Sequence, residues 1–182
     1  MLWILQSSNE SGGWLNEGEV SMSETFGQDQ FFRAVASRGI PRIRVAGIVV
    51  DDDKLLVQRP ADDPSSFYAF IGGEYEIGDT FETRLRKEFE EETNALVVTA
   101  RYLFCVENHF QYKGQTIQQA EHFFLVSIDR RDVTSREGHL VQHWLPLVEL
   151  ASANLRPFVV RDAVASGTYL SDRHLIQMPD QA

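Results

Sequence analysis

The pattern of hydrophobic and polar positions divides the chain into a leader, a regular domain and a tail. A short apolar start is followed by many Ser, Gly, Asn and Glu residues, which predicts a flexible leader over residues 1–25. From residue 40 to about 170, apolar runs of strand length alternate with turn-forming residues, as in a folded domain. We expect residues 171–182 to be a C-terminal tail. The runs that predict strands are RIRVAGIVV, LLVQR, FYAFI, IQQAEHFFLVSI and HWLPL, together with ALVVTARYLFCVENHF, which fits either a strand pair or one long bent strand.

Two further features of the pattern predict how these strands are arranged. The four residues DDDK separate RIRVAGIVV from LLVQR and predict a hairpin. From Thr80 to Thr93 the apolar residues Phe81, Leu85 and Phe89 recur every fourth position, which predicts a helix with one flank packed on a sheet. The segment LRPFVVRDAVASG predicts a closing helix that ends at Gly167. Strands on both sides of a central helix predict an α/β fold with a mixed sheet flanked by helices.

Composition narrows the class of protein. The net charge of −10 argues against binding a nucleic-acid polymer, which requires a basic face. The only cysteine, Cys105, excludes an intramolecular disulfide and a cysteine-rich zinc site. No apolar run approaches the roughly 18 residues of a membrane span, so we expect no membrane partner and a cytoplasmic location. We also hypothesise that Met22 is the true start, which an intact-mass measurement on protein from the native host tests.

An acidic cluster closes the predicted central helix. The segment EFEEE places glutamates at the C-terminal end, where the helix dipole disfavours each carboxylate by roughly 0.3–1 kcal/mol. Glu88, Glu91 and Glu92 share one face, as positions i, i+3 and i+4, whereas Glu90 points elsewhere. Hard carboxylate oxygens suit Mg²⁺ or Mn²⁺, which would offset the repulsion. The alternative is a solvated acidic face in which basic residues one turn earlier pair with the glutamates, Arg84 with Glu88 and Lys87 with Glu91.

The segment from Gly73 to Ala95 resembles the Nudix box, the signature of the Nudix hydrolase superfamily. That box is Gly, five residues, Glu, seven residues, then Arg-Glu-aliphatic-x-Glu-Glu-x-Gly-aliphatic. The spacing matches throughout, and Gly73 and the three glutamates of the shared face match by identity. The departures are Asp79 for Glu, Lys87 for Arg, Asn94 for Gly and Ala95 for a larger aliphatic residue. Further landmarks extend the resemblance over about residues 40 to 165.

The resemblance implies a fold, a reaction and a set of residues. The family fold is an α/β/α sandwich, and the reaction is cleavage of a diphosphate linkage in a nucleotide or nucleoside diphosphate derivative by water. Glu91 and Glu92 are the expected main metal ligands, and Glu88 is either a third ligand or the base. The carbonyl of Gly72 is a further expected ligand, because a glycine turn lets backbone approach the ion. Glu121 is expected as an additional ligand or base; its alternative is a strand residue facing solvent.

Residues for substrate binding are expected among basic and aromatic side chains near the box. Arg44 and Arg59 are candidates for contacts with phosphates, and their alternative is a surface charge. Phe70, Tyr75 or Phe110 is expected to stack on a base, and the alternative for each is packing. The expected partner is a small-molecule nucleotide or nucleoside diphosphate derivative of open identity, and a homodimer is consistent with the family.

The departures from the box raise an alternative function. Asn94 stands where a helix C-cap requires the left-handed conformation, which Asn tolerates second to Gly. Lys87 keeps the positive charge but loses the planar fork with which the family arginine orients the glutamates. A catalytically weak Nudix-fold module that binds a nucleotide for regulation is therefore the alternative to an active hydrolase, and substrate turnover separates the two.

Overall fold

Helices and strands alternate along the chain in a computed structural model that describes residues 28–171 and 174–179. The helices are α1 (Gln28–Ser37), α2 (Phe81–Glu92) and α3 (Phe158–Ser166), with 3₁₀ turns at Leu147–Ser152 and Thr168–Leu170. The strands are β1 (Arg42–Ile48), β2 (Val50–Asp51), β3 (Lys54–Pro60), β4 (Tyr68–Ala69), β5 (Val97–Tyr112), β6 (Gln115–Ile128), β7 (Leu140–Pro146), β8 (Leu155–Arg156) and β9 (His174–Gln177). None of the helices in these described segments is long and apolar enough to cross a membrane.

The first sheet carries the long strands in the order β1-β6-β5-β9. Strands β5 and β6 form an antiparallel hairpin whose turn, Lys113-Gly114, has positive φ values of 46° and 78°. Two positive φ values in a two-residue turn match the right-handed twist of the flanking strands. Strand β5 is continuous over 16 residues and is irregular between Tyr102 and Phe104, so the long bent strand is the correct one of the two expectations. Strands β1 and β9 add in parallel at the two edges.

The second sheet corrects the predicted hairpin. Its order is β2-β3-β4-β8, and β7 also pairs with β3. The turn at Asp52 and Asp53, with φ values of 48° and 57°, joins β3 only to the two-residue strand β2. The preceding run, β1, pairs with β6 in the first sheet instead. The apolar run RIRVAGIVV therefore passes from one sheet to the other at Val49, whose carbonyl accepts a hydrogen bond from Leu56 N at 3.0 Å.

Strand alternation places a hydrophobic layer on each face of the first sheet. On one face Val45, Phe124 and Val126 pack with Leu85 and Phe89 of α2. On the other face, neighbouring residues of the same strands pack against the second sheet and α3; they include Ala46, Ile48, Phe104, Phe123, Val160 and Val164. The expected mixed sheet with helices on both sides, an α/β/α sandwich, is confirmed.

The ends of α2 explain why this helix begins and stops where it does. Thr80 and Thr83 form a reciprocal capping box, in which each side chain bonds the other residue's backbone N–H. At the other end Thr93, which is fully buried, caps the helix and its hydroxyl donates to Phe89 O at 2.7 Å. The left-handed cap expected at Asn94 is wrong, since this residue has no positive φ. Its side chain instead binds the loop that follows β6, donating to Asp132 O at 3.0 Å and accepting from Thr134 N at 2.9 Å.

Two elements lie outside the predicted ones. Helix α1 packs Phe32 and Val35 against Ile117 near the tip of the β5–β6 hairpin. Strand β9 lies within residues 171–182, where we expected only a tail, and it pairs with β5 from Cys105 to Asn108. The predicted leader over residues 1–25 lies outside the described residues.

Candidate active site

The glycine pair preceding α2 runs beside β1 and brings the box against the first sheet. Gly47 N donates to Ile71 O, and Val45 N donates to Gly73 O, both at 3.0 Å. A Cβ at Gly72, where φ is +148°, would lie 2.1 Å from the carbonyl oxygen of Val45. A Cβ at Gly73 would lie 2.1 Å from Glu88 Oε1. Only glycine permits both close approaches, one to a strand and one to the carboxylate of Glu88.

The first glutamate of the cluster is buried beside a basic side chain. Glu88 is 5% exposed, and Arg84 Nη2 donates to its Oε1. Burial raises the pKa of Glu88, and the charge of Arg84 offsets part of that rise. The same Nη2 donates to Glu91 Oε2 at 3.2 Å, and Arg84 Nη1 lies 3.5 Å from Glu76 Oε1. Three carboxylates thus converge on one guanidinium, and Arg84 is a site residue whose importance the sequence did not reveal.

The third glutamate of the predicted ligand set turns to a different partner. Gln58 Nε2 of β3 donates to Glu92 Oε2 at 2.9 Å. Burial raises the pKa of Glu92 to about 8, and the nearby negative charge of Glu88 adds to the rise. Glu91 is exposed, whereas Glu92 is half-buried. Glu88 and Glu91 share the contact with Arg84, whereas Glu92 contacts Gln58 instead.

Two of the four substituted box residues, Asp79 and Lys87, form a charged pair. Lys87 Nζ lies 2.7 Å from Asp79 Oδ1. Hydrogen bonding from Lys87 lowers the pKa of Asp79. The contact expected between Lys87 and Glu91 is replaced by this one, while the contact expected between Arg84 and Glu88 is present. Lys87 therefore ties the helix to the turn before it and leaves the glutamates to Arg84.

A second polar centre forms on the first sheet around Glu121, which is 1% exposed. Its Oε1 accepts hydrogen bonds from Asn108 Nδ2 and Gln119 Nε2, both at 2.7 Å. Its Oε2 accepts one from Arg44 Nη1 at 3.0 Å. The register that pairs Arg44 with Glu121 places both side chains on the α3 face of the sheet. The expected alternative for Glu121, a strand residue facing solvent, is wrong.

Arg44 joins this centre to the glycine pair. Its Nη2 donates to Gly72 O at 2.9 Å, the carbonyl expected as a metal ligand, while its Nη1 holds Glu121. The Nε of Arg44 is buried and has no hydrogen-bond partner among the described residues. A buried donor that lacks a partner costs about 1–3 kcal/mol.

A cavity of about 490 Å³ opens beside Glu121 and Arg44. Its polar floor comes from β1, β5 and β6, and its walls are mostly aromatic. The floor consists of Arg42, Arg44, Asn108, Gln119 and Glu121. The aromatic residues in the walls are Phe32, Phe67, Phe110, Tyr112 and Phe158. Cationic and hydrogen-bonding groups on the floor suit phosphate and sugar oxygens, and the walls suit a planar ring.

The structure separates the three residues expected to bind substrate. Arg44 lines the cavity, as described above. Phe70 is 2% exposed and packs edge-on against Phe123 in the core, so its expected contact with a base is contradicted. Arg59 donates to Pro64 O at 2.6 Å, lies 5.2 Å from the centre of the Tyr68 ring, and is absent from the cavity lining. Phe70 is buried in the core, and the contacts of Arg59 hold it on the second sheet. Both residues therefore lie outside the candidate site.

The other two aromatic candidates also separate. Phe110 lines the cavity. Tyr75 instead donates its hydroxyl to Asp79 O at 2.6 Å and packs edge-on against Phe81, 4.8 Å between ring centres. Tyr75 is thereby a packing residue of the turn before α2, and Phe110 is the aromatic candidate that remains.

The donor set fits a divalent cation in chemistry, although its side chains are engaged otherwise here. Across residues 28–171 and 174–179, no group of three or more His, Cys, Asp or Glu side chains could hold a metal ion. Glu88 and Glu91 nevertheless meet at the positive charge of Arg84, and all the predicted ligands are hard oxygen donors. Burial raises the pKa of Glu92, and a cation bound there would favour its charged form. Glu88, Glu91, Glu92 and the Gly72 carbonyl are therefore the residues that would hold Mg²⁺ or Mn²⁺.

Comparison with known proteins agrees with the fold. The family model described as NUDIX domain matches residues 41–164. A MutT protein studied in Aliivibrio salmonicida and Vibrio cholerae is 24% identical, with a TM-score of 0.55 over 70% of this chain and 99% of that chain. MutT from Bacillus halodurans is 19% identical, with a TM-score of 0.57 over 75% of this chain and 88% of that chain. An ADP-ribose pyrophosphatase from Streptococcus suis is 14% identical, with a TM-score of 0.52 over 76% of this chain and 99% of that chain. No curated protein sequence matches significantly.

Proposed function

The chain belongs to the Nudix family, and from that premise we propose that it is a metal-dependent pyrophosphohydrolase. It would use water to cleave a diphosphate linkage in a nucleotide or nucleoside diphosphate derivative. The observation that carries the proposal is the position of Arg44. It joins the Gly72 carbonyl of the box to Glu121 at the floor of a cavity with aromatic walls. A diphosphate contacting Arg44 would lie between the box glutamates and the cavity.

The metal would be held by Glu88, Glu91, Glu92 and the carbonyl of Gly72. When bound there, Mg²⁺ or Mn²⁺ supplies polarisation of the phosphoryl oxygens and lowers the pKa of water. Arg84 positions Glu88 and Glu91 through its guanidinium, and Gly73 leaves the space that the Glu88 carboxylate fills. These residues prepare the carboxylates on the helix side of the site.

The sheet side supplies the proton acceptor and the phosphate contact. We assign Glu121 as the candidate general base, with Glu88 as the alternative, because Glu121 lines the cavity where a reacting water has access. Three donors fix the orientation of its carboxylate. The guanidinium of Arg44, which lines the cavity, supplies a positive charge that would favour the charge developing on a phosphate oxygen during cleavage.

The test is a phosphate-release screen with Mg²⁺ and then Mn²⁺ over nucleoside diphosphate derivatives and triphosphates, in which an added phosphatase (for the derivatives) or pyrophosphatase (for the triphosphates) frees phosphate from the products. The inactivated variant is the double substitution Glu91→Gln and Glu92→Gln. Glu90→Gln is the matched control, because Glu90 is exposed and points away from the other glutamates. We expect metal-dependent turnover that the double variant loses by at least about 100-fold and the control retains. Loss of turnover in the control as well would contradict the assigned ligand set.

The second candidate function is a nucleotide-binding module without turnover. It is favoured by one observation: Glu88 and Glu91 are already engaged by Arg84, so a metal must compete with a buried guanidinium. No turnover across the panel, together with a rise in melting temperature on adding a nucleotide, would establish this function in place of hydrolysis.

A further inference from the structure

Two parts of the cavity lining come from segments that lie outside the stretch matched by the family model. The family match covers residues 41–164. Phe32 of α1 precedes it, and Gln177, Met178 and Pro179 follow it, yet all four line the cavity. The catalytic box and Glu121 lie inside the matched stretch. Residues from outside that stretch therefore line the cavity, whereas the box glutamates lie within the stretch.

Strand β9 holds the C-terminal wall in a defined place. Its last residue, Gln177, is the register partner of Asn108, which donates to Glu121 in the cavity floor. The side chain of Gln177 accepts a hydrogen bond from Val159 N at 3.0 Å, in the first turn of α3. Its Nε2 donates to Met178 O at 2.9 Å. Gln177 therefore connects β9 to the start of α3 and fixes the backbone of Met178 at the cavity.

The cavity lined by Met178 also has aromatic and apolar residues in its lining. Phe158, at the start of α3, lines the cavity, but the guanidinium groups of Arg156 and Arg161 lie 3.7 and 4.3 Å from the centre of its ring and occupy part of its surface. Phe67 and Pro157 add further apolar lining. Met178 keeps 59% of its surface exposed, so its thioether is accessible to a ligand. A flexible thioether next to aromatic rings favours contact with another flat ring.

We propose that the segment Gln177–Pro179 is a specificity-determining wall that selects substrates carrying an aromatic ring on the diphosphate. The phosphates contact Arg44 on the floor, and the ring lies against Met178 and the aromatic walls. Met178 contacts the ring, and Gln177 is a positioning residue that holds Met178 through α3. This inference rests on the proposed function, because it takes the ligand to be a nucleotide.

The test measures binding, so that it does not depend on turnover. Dissociation constants are measured by calorimetry in the presence of EDTA for two probes, ADP and inorganic pyrophosphate, which differ in the adenosine group that ADP alone carries. We expect Met178→Ala to weaken ADP binding about tenfold and leave pyrophosphate unchanged, because only apolar contacts with the ring are lost. Gln177→Ala is expected to weaken ADP selectively as well. Ile176→Ala is the matched control, since Ile176 is exposed and is not among the residues that line the cavity.

The outcomes separate this inference from the hydrolase proposal. An ADP affinity within twofold of the unsubstituted chain in Met178→Ala, an equal loss for both probes, or the same loss in Ile176→Ala overturns the specificity wall. No ADP binding by the unsubstituted chain overturns it too. Selective loss of ADP binding in a chain that turns nothing over upholds the wall and refutes hydrolysis. Unchanged melting temperatures confirm that Met178→Ala and its control are folded.

Discussion

Replacing Gly73 with alanine tests whether the position of Glu88 matters for catalysis. An added Cβ would lie 2.1 Å from Glu88 Oε1, 2.3 Å from Cδ and 2.4 Å from Oε2. Cβ contacts below 3.0 Å are essentially never seen, so the carboxylate must retreat by about 0.9 Å, the difference between this limit and the shortest contact. Arg84 holds the same carboxylate from the other side, so the change also disturbs a buried ion pair.

A displacement of about 1 Å in a catalytic geometry reduces the rate by about 100-fold. We therefore expect Gly73→Ala to lower kcat by about 100-fold, which corresponds to about 2.7 kcal/mol in the barrier. KM should change little, because neither Gly73 nor Glu88 lines the cavity. Overpacking is expected to lower the free energy of unfolding by about 1–3 kcal/mol, which leaves a folded protein to assay.

The assay is steady-state turnover of the substrate identified in the phosphate-release screen, with urea denaturation alongside. Gly138→Ala is the matched control, because no atom lies within 4 Å of its added Cβ and its φ is not positive. The control should keep the original kcat. A folded Gly73→Ala protein with the original kcat would refute the reasoning, since the carboxylate would then have moved without consequence.

Three further predictions concern the charges around α2. Arg84→Met leaves Glu88 buried without a partner and should lower the free energy of unfolding by about 3–5 kcal/mol in urea denaturation, with partial recovery when Glu88→Gln is added. Lys87→Arg should leave kcat within about threefold of the value for the unsubstituted protein, because Lys87 contacts Asp79 and not the glutamates. In EDTA, Glu92→Gln should melt above the unsubstituted protein by a margin that grows from pH 5 to pH 9. Between 4.5 and about 8 the unfolded chain loses the proton that folded Glu92 retains, so stability falls as pH rises. A constant margin in differential scanning calorimetry would contradict the raised pKa.

The parts of the fold that were predictable are those with a local signal. Helix α2 follows from its apolar spacing and from Thr80, which caps it, and α3 ends at Gly167 with φ of 76°. The crossing at Val49 gave no such signal, because a strand buried on both faces has a continuous apolar run whichever sheet it joins. Strand β9 has only four residues, and its pairing with β5 depends on contacts more than 60 positions away in the chain. Pairing of this kind cannot be read from a local pattern.

The same division applies to the candidate site. The chemistry of Glu121 and Arg44 follows from residue type, but their contact joins positions 77 residues apart and depends on the register of β1 with β6. Gln119 precedes Glu121 by two residues on β6, and the register of β5 with β6 brings Asn108 beside them. Phe70 and Phe110 are the same residue type, and residue type alone does not distinguish a core ring from a cavity ring. Only the packing of the two sheets buries Phe70 in the core and leaves Phe110 at the cavity.

The Lys87 departure from the Nudix box has a different consequence from the one its sequence suggested. The lost planar fork would be harmful if the glutamates depended on position 87. In this chain the guanidinium of Arg84, one turn earlier in the helix, contacts Glu88 and Glu91. Lys87 pairs with Asp79 instead. A guanidinium presents several donors in one plane, so Arg84 can hold both carboxylates at once. The same contacts mean that a divalent cation must displace or share this guanidinium before it binds. Metal affinity in this protein should therefore depend on Arg84 more than on Asp79 or Lys87.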